Sequence, residues 1–159
     1  MNKVILAVTT GAVAAAAGTG RGASRTRAPV WYARLRKPAY VPPNYVFPIA
    51  WTTLYAGIAV TSGAALDRMR AAGDSAQFRC TVAALAANLV LNAGWSWLFF
   101  RYHKLGASPL GAAVLTVSSA DLARRVGQAD TRAGAAILAY PLWCGFATLM
   151  STHIWRLNR

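Results

Sequence analysis

Six tryptophans and six tyrosines give this chain large π-faces with polar tips, side chains suited to holding a flat ligand. Many stand at helical spacing. Phe47, Trp51, Tyr55 and Ile58 recur at four, four and three. Asn88, Asn92, Trp95 and Phe99 recur at four, three and four, and Tyr140, Trp143, Ala147 and Ser151 at three, four and four. Residues so spaced share one helix face. In a membrane helix the asparagines must turn inward. There they act either as glue between helices or as the polar anchors of an apolar pocket.

Other chemistry finds little support. The chain has no glutamate, and its four acids are Asp67, Asp74, Asp121 and Asp130. Cysteine, histidine and carboxylate residues nowhere take metal-ligand spacing, so no metal is expected. His103 lies in a basic loop and His153 near a helix end, poor placements for axial haem ligands. No catalytic triad or phosphate-cradling loop is visible. Asp121 precedes Arg124 and Arg125 at i,i+3 and i,i+4, the spacing of an ion pair on one helix; proton coupling is the alternative role. Cys80 and Cys144 fall on different helices at different depths. They make a poor disulfide pair and read as small packing residues.

The aromatics continue into a proline-rich segment. Between Trp31 and Tyr55 stand Pro38, Pro42, Pro43 and Pro48, which fix φ and remove backbone donors. A continuous helix is excluded before Pro48, which itself suits the first turn of the next helix. A stiff, non-helical connection is therefore expected, carrying Trp31, Tyr32, Tyr40 and Tyr45 beside Arg34, Arg36 and Lys37. It reads as an interfacial aromatic belt or as a lid over a pocket between the helices. Three inward aromatic faces beneath it favour the lid and a flat apolar ligand.

The elements that must position these groups are apolar blocks. Apolar residues make up 56% of the 159 and charged residues only 13%. Five stretches approach spanning length: Val4–Gly20, Val46–Leu66, Cys80–Phe100, Leu105–Leu122 and Gly134–Trp155. Each is close to the ~20 residues a helix needs to cross a bilayer. No period-two alternation appears, which excludes a membrane barrel. The expected fold is an all-α membrane protein, a bundle of five transmembrane helices forming a single domain over residues 1–159. The apolar content excludes intrinsic disorder. A net charge of +13 would fit a nucleic-acid binder, but too few polar residues exist to build its shell, so no nucleic-acid partner is expected.

Two features bear on topology. Met1-Asn2-Lys3 and the following apolar run, with Ala14–Ala17, imitate a cleavable secretory signal. The run continues to Thr19, longer than a usual signal core, which favours a retained helix. Arg21, Arg25, Arg27, Arg34, Arg36, Lys37, Arg101, Lys104, Arg156 and Arg159 fall on one side of such a bundle. Lys3, Arg68, Arg70, Arg79, Arg124, Arg125 and Arg132 fall on the other. The positive-inside rule then favours a cytoplasmic first loop and C-terminus, by a narrow majority.

The same residues carry a family resemblance. Trp31-Tyr32-x-x-Leu35-x-Lys37-Pro38-x-x-x-Pro42-Pro43-x-x-Val46, then Trp51-x-x-Leu54-Tyr55, resemble the translocator protein family, also called tryptophan-rich sensory proteins. Leu91-Asn92-x-x-Trp95, Trp143-x-x-Phe146-Ala147-Thr148 and Trp155-Arg156-x-Asn158 extend the similarity over essentially the whole chain. The resemblance implies a five-helix bundle, usually a homodimer, that binds tetrapyrroles such as protoporphyrin IX and haem beneath the first loop. By matching positions it implies Trp51 and Trp143 as pocket tryptophans, with Tyr32, Pro42, Pro43, Asn92 and Ala147 at other pocket or loop positions.

Together with the stripe residues Asn88, Trp95 and Tyr140, these form the expected ligand site. Arg34, Arg36 and Lys37 are the candidates for contacting porphyrin propionates. A porphyrin sensor, transport or stress-regulatory protein is the function implied, in a bacterial cell membrane, with no cofactor required beyond the tetrapyrrole as ligand. No catalytic residue is assigned. Light-dependent porphyrin degradation through Trp51 and Trp143 is one alternative, and small-molecule transport another.

The sequence departs from the family pattern in four places. Ser151 stands where asparagine is common, and Tyr140-Pro141 reverses the usual order. No tyrosine lies between Leu149 and Arg156, which weakens the sterol-recognition pattern. Gly111 stands near a position that is commonly acidic.

Overall fold

The computed structural model describes residues 2–24 and 28–159, without the side chains of 21, 23, 24, 28 and 29. Of the basic residues placed in the first loop, Arg25 and Arg27 therefore lie outside the described residues, as does the Arg21 side chain. The helices are α1 (Lys3–Ser24), α2 (Ala28–Arg34), α3 (Val46–Ala71), α4 (Ser75–Ser96), α5 (Ser108–Ala129), α6 (Thr131–Ile137) and α7 (Ala139–Leu157). A π-helical turn, Trp97–Arg101, extends α4, and no strand occurs among the described residues. The all-α class is thus seen directly. Four helical segments are long and apolar enough to span a bilayer: Lys3–Gly20, Val46–Ala71, Ser75–Arg101 and Thr131–Leu157.

The five expected apolar stretches differ from these four segments at two places. Helix α5 has 22 residues but is less apolar, because Ser118, Ser119, Asp121, Arg124, Arg125 and Gln128 interrupt it. It packs between α4 and α7. The last stretch is not one helix but two, α6 and α7, with the break at Leu138. Pro141 explains the break: it has no N–H to offer the Ile137 carbonyl four residues earlier, and its ring crowds that carbonyl.

Helices α1, α3 and α4 pack on one another, and α4, α5 and α7 complete the bundle. Its outer surface is apolar. Val90, Val117 and Leu142 are 71%, 72% and 74% exposed, an arrangement that water would penalise and lipid tails accommodate. The inward faces carry polar groups instead, among them Thr9, Ser62, Thr81, Asn88, Asn92, Ser119 and Ser151. Asp130 caps α6 through the amides of Arg132 and Ala133 and accepts an ion pair from Arg68 of α3 at 3.0 Å. Asp121 bonds Arg124 and Arg125 at 2.7 and 2.6 Å, the pairing its spacing predicts.

Glycine permits close approach where α6 folds back on α5. A Cβ at Gly134 would overlap the Gly127 Cα, whereas one at Gly127 would stand 3.6 Å from Gly134. The cysteines are free. Cys144 is buried, as a packing residue should be. Cys80 is exposed, contrary to the packing role expected of it, because it precedes the inward face that begins at Thr81.

Candidate functional site

Between the ends of α3, α4 and α7 lies a cavity of about 630 Å³. Helix α3 contributes Phe47, Pro48, Trp51, Thr52 and Tyr55; α7 contributes Trp143, Phe146, Ala147 and Met150. Trp95, Ser96, Phe99 and Phe100 close it from α4 and its π turn, Ala17 and Gly20 from α1, and Tyr32 and Asn44 from the first loop. None of these side chains is ionisable at neutral pH. Such a lining, apolar with a few polar atoms and of this volume, is typical of small-molecule sites.

Each wall follows from local sequence. The periodicity of α3 puts Trp51 and Tyr55 on one face, their rings 5.6 Å apart. On α4 an i,i+4 step carries Phe99 behind Trp95, with the rings stacked at 5.6 Å. An α-helix would turn the next residue away. The wider π turn, closed by the Tyr102 amide bonding the Trp97 carbonyl, lets Phe100 face inward as well, and its ring meets Phe99 at 4.9 Å. The Trp95 indole N–H donates to the Ser108 carbonyl, which fixes the ring against α5. Gly111 leaves room for it, since a Cβ there would stand 3.4 Å from Trp95 and 3.2 Å from Leu98. No larger residue, acidic or otherwise, fits without displacing them.

Beneath the cavity runs a buried chain of hydrogen bonds. The Tyr55 hydroxyl donates to Asn92 Oδ1 at 2.6 Å, and Asn92 Nδ2 donates to the Tyr140 hydroxyl at 3.0 Å. Tyr140 donates to Asn88 Oδ1 at 2.9 Å, and Asn88 Nδ2 donates to Ser118 Oγ at 3.1 Å. Four helices are joined by one polar ladder, and its upper rung holds a cavity wall residue.

Above the cavity the first loop forms a cap. It contains the short helix α2, where the proline pattern predicts only non-helical chain; Pro29 falls in its first turn, where a missing amide is tolerated, and Pro38 and the prolines beyond it follow its end. Beyond it, the Val41 amide bonds the Pro38 carbonyl and the Val46 amide bonds the Pro43 carbonyl, two tight turns that lead into α3. Three ties hold the cap. The Asn158 carboxamide accepts from the Arg36 amide at 3.0 Å and donates to the Arg36 carbonyl at 2.8 Å. Tyr40 Oη and His153 Nδ1 share a hydrogen bond of 2.7 Å. Trp31 stacks on His103 at 4.0 Å.

The sequence-predicted residues divide by position. Tyr32, Trp51, Trp95, Trp143 and Ala147 line the cavity together. Asn88, Asn92 and Tyr140 stand behind its wall in the polar ladder, and Pro42 and Pro43 shape the cap without lining the cavity. Arg34 and Arg36 are exposed on the cap. The Lys37 ammonium bonds the Tyr32, Leu35 and Ala33 carbonyls at the end of α2 and lies 4.6 Å from the Tyr32 ring. It therefore serves the cap's own structure. The Tyr32 hydroxyl is buried and has no hydrogen-bond partner among the described residues. Burial also pushes its phenol above the ordinary range, so it stays a neutral donor at physiological pH.

Sequence reasoning missed several contributors. Ala17 and Gly20 of α1 are lining residues whose small size is their function: a Cβ at Gly20 would stand 3.3 Å from Ser96 Oγ. Their only signal was small residues three apart in an apolar helix. Phe100 depends on the π turn, which no periodicity announces.

A helical membrane protein with an aromatic, uncharged cavity under a latched cap is the class this architecture defines. The TspO/MBR family model matches residues 4–156, and the chain belongs to that family. It is 30% identical to the protein CrtK of Rhodobacter capsulatus over 80% of this chain and 78% of that one. It is 30% identical to the tryptophan-rich sensory protein of Cereibacter sphaeroides, over 80% and 77%. With the human translocator protein it shares 33% identity over 80% and 75%.

Proposed function

We propose that the cavity binds a tetrapyrrole, protoporphyrin IX or haem, and that the protein acts as a porphyrin sensor or transport protein of the bacterial cell membrane. The observation that carries this reading is the uncharged, indole-walled cavity of about 630 Å³ beneath a latched cap. A planar macrocycle stacks on Trp51 and Trp143, and the neutral Tyr32 hydroxyl, buried without a partner, donates to an acceptor on the ligand. Propionates emerge toward Arg34 and Arg36, which leaves no anion in the apolar interior. The names of two relatives, a sensory protein and a translocator, fit a role in ligand detection or passage. In this reading α5 is a fifth span whose polar residues are tolerated because it packs between α4 and α7, and the working unit is a homodimer.

Titration with protoporphyrin IX, followed by its Soret absorbance, tests the site. Each indole contributes ~0.5–1.5 kcal/mol of stacking beyond area burial, so Trp51→Phe with Trp143→Phe is expected to weaken binding about ten-fold. Equal affinity in the double variant would refute the assignment. The same titration under light and oxygen separates binding from degradation: porphyrin loss beyond a protein-free control would assign catalysis instead.

A further inference from the structure

The two ends of the bundle differ in charge. All four carboxylate side chains, Asp67, Asp74, Asp121 and Asp130, belong to the end opposite the cap, where Asp121 and Asp130 pair with Arg124, Arg125 and Arg68. The cap end has none. Its cations include Arg34, Arg36, Arg101, Lys104, Arg156 and Arg159, all exposed.

Part of this charge converges on one corner. Gly106 lies against the Trp155 indole, where a Cβ would stand 3.4 Å from Nε1, which brings the Lys104 loop beside the end of α7. The Arg159 guanidinium sits 5.5 Å from the Trp155 ring centre, and Asn158 holds Arg36 to the same place through paired bonds. The Lys104 loop and the Arg156–Arg159 end of α7 thus meet at one indole, with the Arg159 guanidinium beside it.

Aromatic placement gives this corner a depth. Trp97 and Tyr102 are exposed on the adjoining end of α4, and Tyr40 and Tyr45 on the cap. Segments 56–91 and 112–139, which run to the other end, contain no tryptophan or tyrosine. Exposed tryptophan and tyrosine mark the headgroup layer. Cations at that level, with no carboxylate side chain among them, face lipid phosphates.

We propose that the corner around Trp155 binds the headgroups of anionic phospholipids in the leaflet that holds the cap. The surface complements a layer of negative charge, and its aromatic ring sets it at headgroup depth. The site lies outside the cavity, so it stands or falls independently of the porphyrin reading. It also orients the protein: the cap end belongs in whichever leaflet is richer in anionic lipid.

Native mass spectrometry of the full chain with equimolar phosphatidylglycerol and phosphatidylcholine tests this. Phosphatidylglycerol should be retained preferentially. Each cation removed near the surface should lower its affinity about five-fold, so Lys104→Gln/Arg156→Gln/Arg159→Gln should abolish the preference. Arg70→Gln/Arg79→Gln/Arg132→Gln makes the same charge change at the opposite end and should keep it. Arg156→Lys/Arg159→Lys, which retains charge and spares the fold, should keep it too. No preference in the wild type, or equal loss in both glutamine triples, would overturn the proposal. So would competition by inorganic phosphate as effective as that by the lipid.

Discussion

Single residues decide how well the cavity wall is held. Asn92 accepts from Tyr55 and donates to Tyr140, so its loss breaks two interhelical bonds, while Tyr55→Phe breaks one. Bonds of this kind in membrane bundles average ~0.6 kcal/mol, with a maximum near 1.7. Asn92→Ala adds a cavity, strands the Tyr55 phenol and leaves Tyr140 only its bond to Asn88, so it should lower thermal stability clearly more than Tyr55→Phe. Melting curves in one detergent check the order; equal or reversed shifts would show that the ladder carries no stability. The inward direction of Asn88 and Asn92 was legible in the sequence because carboxamides cannot face lipid. Their partners were not, since Tyr55, Tyr140 and Ser118 meet them only after three other helices have packed.

Contacts between elements set the shape around those residues. Gly134 and Gly127 look alike in sequence, yet only a Cβ at Gly134 would strike backbone. Gly134→Ala should therefore destabilise the protein by about 1–3 kcal/mol, the usual range for overpacking. Gly127→Ala should be near neutral, because its Cβ has ordinary contact distance and alanine favours the helix. Denaturation of the two variants side by side distinguishes them, and matching losses would contradict the packing described. The cap offers a second test. With its paired bonds to Arg36 removed, Asn158→Ala should raise amide hydrogen exchange across 35–45 and leave α4 unchanged. Unaltered exchange there would mean that the other two ties suffice. The prolines made the cap's stiffness legible, and Pro48 does fall in the first turn of α3. The latches were hidden, because Arg36 and Asn158 lie 122 residues apart and only the closed bundle brings them together.

At the scale of the whole molecule, the protein is an apolar exterior wrapped around polar and aromatic faces. That division was readable from block length and helical spacing alone, since a hydrocarbon solvent sorts side chains strictly. Two departures from simple blocks were less readable. Pro141 breaks the last span into α6 and α7, and the π turn after α4 brings Phe99 and Phe100 to the same cavity. Both are backbone events that a count of apolar residues cannot register. The central claim is that the interior space, rather than the lipid-facing surface, receives a planar macrocycle. Ala17 and Ala147 line that space from α1 and α7, while Ala83 and Ala87 are exposed on the outer face of α4. Methyl NMR of alanine-labelled protein titrated with protoporphyrin IX reads the difference through the ring current. Large shifts at Ala17 and Ala147, with Ala83 and Ala87 unmoved, are the result this account predicts; the opposite pattern would contradict it.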